Sequence, residues 1–415
     1  MHYFNYKNKK LFCENVSLEA IAKSIGTPCY VYSTQTIERH YRAFTQAAGK
    51  KDALICYSVK ANSNLSILKF LSKLGAGFDI VSEGELFRVL KAGGDPRKVV
   101  FSGVGKTESE MRYALKHAIF CFNVESNQEL EKLNAVAVSL NKKAPVSLRV
   151  NPNINAKTHP YISTGLKENK FGISMTEAQL IYRNRSQYPA ITFTGIDCHI
   201  GSQMLSLKPI IATLKELRNL VLALKSLDVH IEHLNLGGGL GIRYSEESPP
   251  SPRAYMKTVI QHTKDLNVKL LFEPGRAIMG NAGILLTRVL YKKNAFPFHK
   301  SFIIVDAAMN DLIRPSLYHA YQDIWPVHKK KKNNETVDVV GPICESGDFF
   351  AKNRSMKKTE AGDLLAIMGS GAYGFSMASN YNSRRRAAEV LVTGKKYNIC
   401  RTRESFEDLI QGEAP

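Results

Sequence analysis

Lys60 closes an apolar, β-leaning run, Ala53 to Val59, inside the stretch Tyr57-Ser58-Val59-Lys60-Ala61-Asn62. An ammonium in apolar surroundings is costly unless it is paired or neutralised. A lysine that gives up its proton can instead form a Schiff base with an aldehyde or other carbonyl compound. The alternative is a lysine that snorkels to water from a strand end. Gly237-Gly238-Gly239-Leu240-Gly241 offers a second chemistry, because glycines let backbone N–H groups approach and cradle a phosphate. No lysine followed by serine or threonine ends that run, so it is not a Walker loop. Glu273, in Glu273-Pro274-Gly275-Arg276, is a candidate functional carboxylate, and His199-Ile200-Gly201-Ser202-Gln203 presents a flat imidazole that could stack on a ring. Arg314 precedes Pro315, with Tyr318 one turn later on the same side; a guanidinium fork and a phenol suit a substrate carboxylate. Cys344-Glu345, within Gly341 to Asp348, sets a thiol beside a carboxylate. Gly369 to Gly374 presents Tyr373 on a glycine-rich loop. Each of these features has a structural reading when taken alone.

The elements that must carry them form a regular alternation. Buried-strand runs occur at Ala53–Tyr57, Gly77–Val81, Val99–Ser102, Phe120–Val124, Val146–Val150, Thr192–Cys198, His233–Leu236 and Lys269–Phe272. Amphipathic helical patterns lie between them at 64–74, 107–118, 128–140, 176–185, 207–227 and 252–266. The second opens with a Thr-x-x-Glu capping box, Thr107 and Glu110. Eight alternating units in roughly 230 residues predict an α/β fold, a (β/α)8 TIM-like barrel, with an open doubly wound sheet as the alternative. On a barrel, Lys60, His199, the glycine run and Glu273 all follow strand C-terminal ends, the face that carries chemistry, while Asp79 lies within the second strand. Thr34 to Ala48 reads as a helix and Ser17 to Ser24 as another, before Cys29-Tyr30-Val31-Tyr32. After Gly280 the pattern changes to strands at Gly283–Lys292, Ser301–Asp306, Thr336–Val340, Asp363–Met368 and Ala388–Val392. The expected division is a barrel at 33–280 and an all-β domain at 281–415, completed by residues 1–32.

The 415 residues are 44% hydrophobic and 23% charged, ordinary for a globular chain, and no apolar run approaches the length of a membrane span. No apolar segment follows the basic residues at the N-terminus, and the seven cysteines include no CxxC pair. Both features point to the cytoplasm and away from a metal site. The net charge of +20 is dispersed, its densest run being Lys329 to Lys332. That favours a basic surface drawing anionic ligands over nucleic-acid binding.

A Schiff-base lysine, a phosphate cradle and a carboxylate able to face a pyridine nitrogen together point to pyridoxal 5'-phosphate, with Glu273 keeping the nitrogen protonated. The motifs around Lys60, His199, Gly237, Glu273, Cys344 and Tyr373 resemble, in order and from about Tyr30 to Val392, those of the diaminopimelate decarboxylases. These are fold-type III pyridoxal-phosphate carboxy-lyases with an alanine-racemase-like barrel. The resemblance implies that Lys60 holds the cofactor, with Asp79 near it, and that His199 stacks on the ring. It implies that Ser202, Gly237, Gly238, Gly239, Pro274, Gly275 and Arg276 hold the cofactor, chiefly its phosphate. It further implies that Arg276, Arg314 and Tyr318 bind substrate carboxylate and that Tyr373 closes over both. Cys344 and Glu345 would enter from the partner of a homodimer with shared active sites. The implied reaction is decarboxylation of meso-2,6-diaminopimelate to L-lysine, with Cys344 or Lys60 as proton donor. Ornithine-type relatives carry Cys-Asp where this chain has Cys344-Glu345, which favours a substrate with an amino acid at its far end. Decarboxylases of ornithine, arginine or carboxynorspermidine are the nearest alternatives, and a non-catalytic pyridoxal-phosphate carrier is disfavoured by the β-domain. The family's Asn-Ser-Arg-Pro-Arg is Asn382-Ser383-Arg384-Arg385-Arg386 here; loss of the proline's fixed φ predicts a looser segment near Tyr373 and unchanged chemistry.

Overall fold

The computed structural model describes residues 2–155, 164–165, 169–295, 300–330 and 333–414. The chain divides into two compact units, one of 40–242 and 248–277, the other of 1–39, 243–247 and 278–415.

The first unit is a closed barrel. Its eight strands are Ala53–Ser58, Gly77–Ile80, Val99–Phe101, Cys121–Val124, Ala144–Asn151, Ile191–Asp197, His233–Asn235 and Lys269–Phe272, called first to eighth below. Each pairs in parallel with the next, and the eighth returns to the first through Leu270 opposite Ala53. Strands two, three and four are buried at every position, as expected where helices cover one face of a sheet and the barrel interior fills the other. The predicted helices are present, among them Leu65–Lys73, capped by the Asn64 side chain, and Glu108–Lys116, with both halves of the Thr107–Glu110 capping box. The Glu83–Lys91 helix was not anticipated. It is started by Ser82, whose hydroxyl accepts the Glu85 N–H. All eight strands run the same way, so their C-terminal ends, and the loops that follow them, collect on one face.

The second unit is built on a mixed sheet. Its strand order is Phe349–Lys357, Asn334–Val340, Lys300–Val305, Gly283–Ala295, Cys29–Ser33, Ala388–Thr393, Lys396–Arg401. Leu364–Ile367 branches from Gly283–Ala295 and pairs with Ile324–Pro326. Cys29–Ser33 sits mid-sheet, antiparallel to Gly283–Ala295 and parallel to Ala388–Thr393, and is buried at all five positions. Its Val31 packs with Phe4, Leu11, Leu18, Ile21, Ile284, Leu286 and Val390 in one apolar core. Each fully buried aliphatic side chain there contributes about 1.5–3 kcal/mol. The sequence pattern missed Phe349–Lys357 and Lys396–Arg401. Lys330 pairs with Asp363 at 2.5 Å, while Lys331 and Lys332 of the basic run lie outside the described residues.

Candidate active site

Lys60 lies in a single 3-10 turn, Val59–Ala61, directly after the first barrel strand. Its Nζ is 2.9 Å from Asp79 Oδ2, on the second strand. Asp79 is wholly buried, and its other oxygen, Oδ1, has no hydrogen-bond partner among the described residues. A buried carboxylate oxygen left in that state is costly, so the pocket beside Lys60 is polar and incomplete without a further group.

Glu273 follows the eighth strand and is also buried. Its Oε1 accepts from Asn235 Nδ2 at 2.6 Å and from Asn123 Nδ2 at 3.3 Å. Burial, and then the charges of Asp79 and Asp197, push its carboxyl well above the usual carboxylate range. Such a group holds a proton until a cation is placed against it. Asn235 also accepts the Gly237 N–H at 3.0 Å, tying the carboxylate to the start of the glycine loop.

The glycine loop is tight for a reason that can be measured. A Cβ on Gly238 would lie 2.3 Å from the Glu273 carbonyl oxygen, and one on Gly239, where φ is +97°, would lie 2.3 Å from the Gly201 carbonyl oxygen. The loops after strands six and seven are zipped together. Met204 N–H donates to Gly239 O at 2.8 Å and Gly241 N–H to Met204 O at 3.0 Å, while the Gln203 amide both donates to and accepts from Ile242. Gly238 N–H donates to His199 Nδ1 at 3.3 Å, which leaves the proton of the neutral ring on Nε2. Burial, with the positive charges of Arg149 and Lys60, pushes His199 well below the usual imidazole range, so the ring is neutral. Arg276 is buried, and its Nε and Nη2 reach Ser202 Oγ at 3.3 and 3.2 Å. The barrel unit therefore brings Lys60 to Asp79, His199 to the glycine loop and Ser202 to Arg276. Ser58 Oγ donates to the Glu273 carbonyl oxygen at 2.8 Å, joining the ends of strands one and eight.

Beneath these residues lies a buried charge cluster that the sequence reading missed. Arg149 Nη1 contacts Glu125 Oε1 at 2.9 Å, and its Nε stands 3.7 Å from Asp197 Oδ2. Asn123, Asn235, Arg149 and Asp197 all interrupt apolar strand runs with polar side chains, and that interruption was the signal available.

The second unit holds the remaining candidates. Arg314 opens the short helix Arg314–Tyr318 and is buried. Its guanidinium carbon lies 5.4 Å from the ring centre of Tyr318, 6.0 Å from that of Tyr373 and 5.6 Å from that of Tyr244, a residue not anticipated. Cys344 and Glu345 stand exposed on a separate turn. Buried Asp348 fixes that turn by accepting the N–H groups of Met309 and Ile343, both at 2.7 Å. Ser316 Oγ donates to Gly347 O at 2.5 Å, so the turn is joined to the Arg314 helix. The Asn382-to-Arg386 segment is tied at both ends. Asn380 Nδ2 reaches Arg384 O at 3.0 Å and Glu404 Oε2 at 2.6 Å, and Arg384 Nη2 reaches Asp306 O at 2.5 Å.

The barrel donors fit pyridoxal phosphate on structural grounds: an amine beside an unsatisfied buried carboxylate oxygen, a buried acid that awaits a cation, and a loop with no room for side chains. The family model described as "Pyridoxal-dependent decarboxylase, pyridoxal binding domain" matches residues 34–280. A diaminopimelate decarboxylase from Pseudomonas aeruginosa is 54% identical over 414 residues, covering 100% of this chain and 99% of the relative. One from Vibrio cholerae is 54% identical over 411 residues, covering 99% and 98%. The crystal structure of the Helicobacter pylori diaminopimelate decarboxylase complexed with L-lysine is 42% identical, with a TM-score of 0.92 over 95% of this chain and 98% of that one. The enzyme from M. jannaschii in co-complex with L-lysine is 37% identical, with a TM-score of 0.93 over 99% and 98%. Likeness of this extent, from one end of the chain to the other, places it among the diaminopimelate decarboxylases, which are pyridoxal-phosphate-dependent carboxy-lyases.

Proposed function

We propose that this chain converts meso-2,6-diaminopimelate to L-lysine and CO2, the closing step of bacterial lysine biosynthesis, with the following division of labour. The observation that carries it is the Lys60–Asp79 pair set in the same barrel mouth as Glu273 and the glycine cradle. Lys60 would bind the pyridoxal phosphate through its amine, and Asp79 would hold that amine in place. The backbone of Gly237, Gly238 and Gly239, with Ser202, Gly275 and Arg276, would hold the phosphate. Neutral His199 would stack on the ring without adding charge, and Glu273, reluctant to ionise alone, would ionise against the ring nitrogen. When bound, the cofactor supplies an electron sink for the carbon that loses CO2.

The rest of the chemistry belongs to side chains. Arg276, Arg314 and Tyr318 bind carboxylate, and the far amino acid of diaminopimelate gives Arg314 a carboxylate to hold and Glu345 an ammonium. Tyr373 closes over cofactor and substrate. When the carbon–carbon bond to CO2 breaks, a proton must replace the carboxylate on the same carbon; the Cys344 thiol or the Lys60 ammonium supplies it. Exposure of Cys344 and Glu345 on this chain supports their service to a second copy, hence a homodimer in which the partner's Cys344 and the partner's Glu345 complete each site. Seven free cysteines fit a cytoplasmic enzyme, and no helix among the described residues is long and apolar enough to cross a membrane.

The test is CO2 release from meso-diaminopimelate, ornithine, arginine and carboxynorspermidine by purified, yellow protein. Diaminopimelate should be strongly preferred, and Lys60→Ala should abolish both colour and turnover. Preference for any competitor would reject the Glu345 argument, and a colourless wild type that takes up no pyridoxal phosphate would reject the site.

A further inference from the structure

We infer that Tyr244 is a specificity-determining positioning residue, which orients the Arg314 guanidinium for the carboxylate at the far end of the substrate. The inference rests on the reading of Arg314 given above.

Arg314 is buried and boxed by three tyrosine rings, at 5.4 Å (Tyr318), 5.6 Å (Tyr244) and 6.0 Å (Tyr373). Tyr318 belongs to the same short helix as Arg314, and Tyr373 to the glycine-rich loop. Tyr244 has a different origin. It stands three residues past Gly241, in the segment Arg243–Glu247, which belongs with the β unit although the chain on either side of it belongs to the barrel.

That segment is built to hold one ring. The N–H groups of Tyr244 and Ser245 both donate to Glu247 Oε2, at 3.1 and 2.7 Å, closing a tight turn. Arg243 Nε donates to Ser245 O at 2.7 Å, and Asn281 Nδ2 reaches Arg243 O at 3.4 Å. The ring also lies against Gly369, where an added Cβ would stand 3.3 Å from two ring carbons and where φ is +66°. The turn and the glycine fix the ring, and the ring forms the third wall of the box.

Aromatic faces suit this task because they attract a guanidinium without neutralising it. A carboxylate in the same place would consume the charge that substrate needs. Bidentate binding of a carboxylate also depends on the plane of the fork, so a wall that sets this plane sets affinity for the far carboxylate. It does not touch the carbon that loses CO2. Removing the wall should therefore raise KM and leave kcat nearly alone, the signature of lost uniform binding when chemistry is slower than substrate release.

The experiment uses holoenzyme and four changes: Tyr244→Leu, Tyr244→Ala, Tyr244→Phe and Arg314→Lys, with the double variant Tyr244→Leu/Arg314→Lys. Tyr244→Leu keeps bulk and removes the aromatic face, so it reports on the ring even if Tyr244→Ala melts early. The expected result is a KM for meso-diaminopimelate about tenfold higher for Tyr244→Leu, with kcat within about twofold. The inhibition constant of L-lysine, which retains the far carboxylate, should weaken in step, and cofactor absorbance should be unchanged. Tyr244→Phe should restore the wild-type KM. In the Arg314→Lys background Tyr244→Leu should add little, because both act on one interaction. If Arg314→Lys itself leaves KM unchanged, the assignment of Arg314 fails, and this inference with it. If Arg314→Lys raises KM but Tyr244→Leu does not, or if the two effects add in full, Arg314 stands and the role of Tyr244 is overturned.

Discussion

At the scale of single residues, burial in the barrel makes Glu273 reluctant to ionise alone and keeps His199 neutral. Glu273 and His199 are pushed in opposite directions on the pKa scale by the same cause, and in both the uncharged form is favoured. A neutral His199 carries no ionisation into the working pH range, so a change in rate between pH 6 and 8 belongs to other groups. Asp311 allows a direct test of such burial in the second unit. Its carboxyl is pushed up to about 7, by burial first, while its Oδ2 accepts the Ala308 N–H at 3.0 Å. Below an unfolded pKa of about 3.9 the carboxyl is protonated in both states and favours neither. Between about 4 and 7 the folded chain retains a proton that the unfolded chain has lost, so this group's contribution to stability falls as pH rises and levels off above 7. Asp311→Asn keeps the acceptor for Ala308 and cannot ionise. Relative to wild type it should gain stability at pH 8 over pH 5, by about 1.4 kcal/mol for each pH unit between 5 and the folded pKa of about 7, in denaturant unfolding followed at both pH values. An equal pH 5 to pH 8 difference in the two proteins would show that Asp311 is not the group.

At the scale of elements, position is set by loops that are short, zipped and free of side chains. Gly238→Ala would drive a Cβ to within 2.3 Å of the Glu273 carbonyl oxygen, so the loop must shift where its N–H groups are needed. Pyridoxal phosphate affinity of the apoenzyme, titrated by the rise of yellow absorbance, should fall by about tenfold or more, roughly 1.4 kcal/mol; unchanged affinity would remove the glycine loop from the phosphate site. Much of this was readable beforehand. Alternation of apolar runs and amphipathic patterns located all eight barrel strands, and Thr34–Ala48 is helical between the residues expected. The Glu83–Lys91 helix was readable too, since Ser82-Glu83-Gly84-Glu85 fits a cap pattern, but the element is short, Phe87 is exposed and only Leu86 and Val89 are buried. Lys396–Arg401 is a different case: it is an edge strand whose side chains are mostly in water, so no period of burial marks it. Lys60, His199 and Glu273 could be found because each follows a strand end. Tyr244 could not, because what gives it meaning is a partner 70 positions away in the chain.

At the scale of the whole molecule, each active site is expected to need two chains. The double change Cys344→Ala/Glu345→Ala, which removes the thiol and the carboxylate for the far ammonium together, and the single change Lys60→Ala should each leave a nearly inactive protein. Unfolded together and refolded, half their dimers would be mixed and each mixed dimer would hold one intact site, giving about a quarter of wild-type CO2 release. A mixture no more active than its parents would place Cys344 and Lys60 in one chain's site. The strand Cys29–Ser33 has a consequence of another kind. Its neighbours in the sheet, Gly283–Ala295 and Ala388–Thr393, are the products of much later synthesis. A ribosome adding about 5–20 residues per second needs on the order of twenty to seventy seconds to travel from residue 33 to residue 388. Until Gly283–Ala295 is made, this apolar strand is outside the tunnel with both edges bare, and one edge stays open until Ala388–Thr393 follows, so the barrel can close behind it while the strand still waits. The newborn chain must be shielded at its beginning until its end arrives, so the cell's holding chaperones should meet this protein first at residues 29–33.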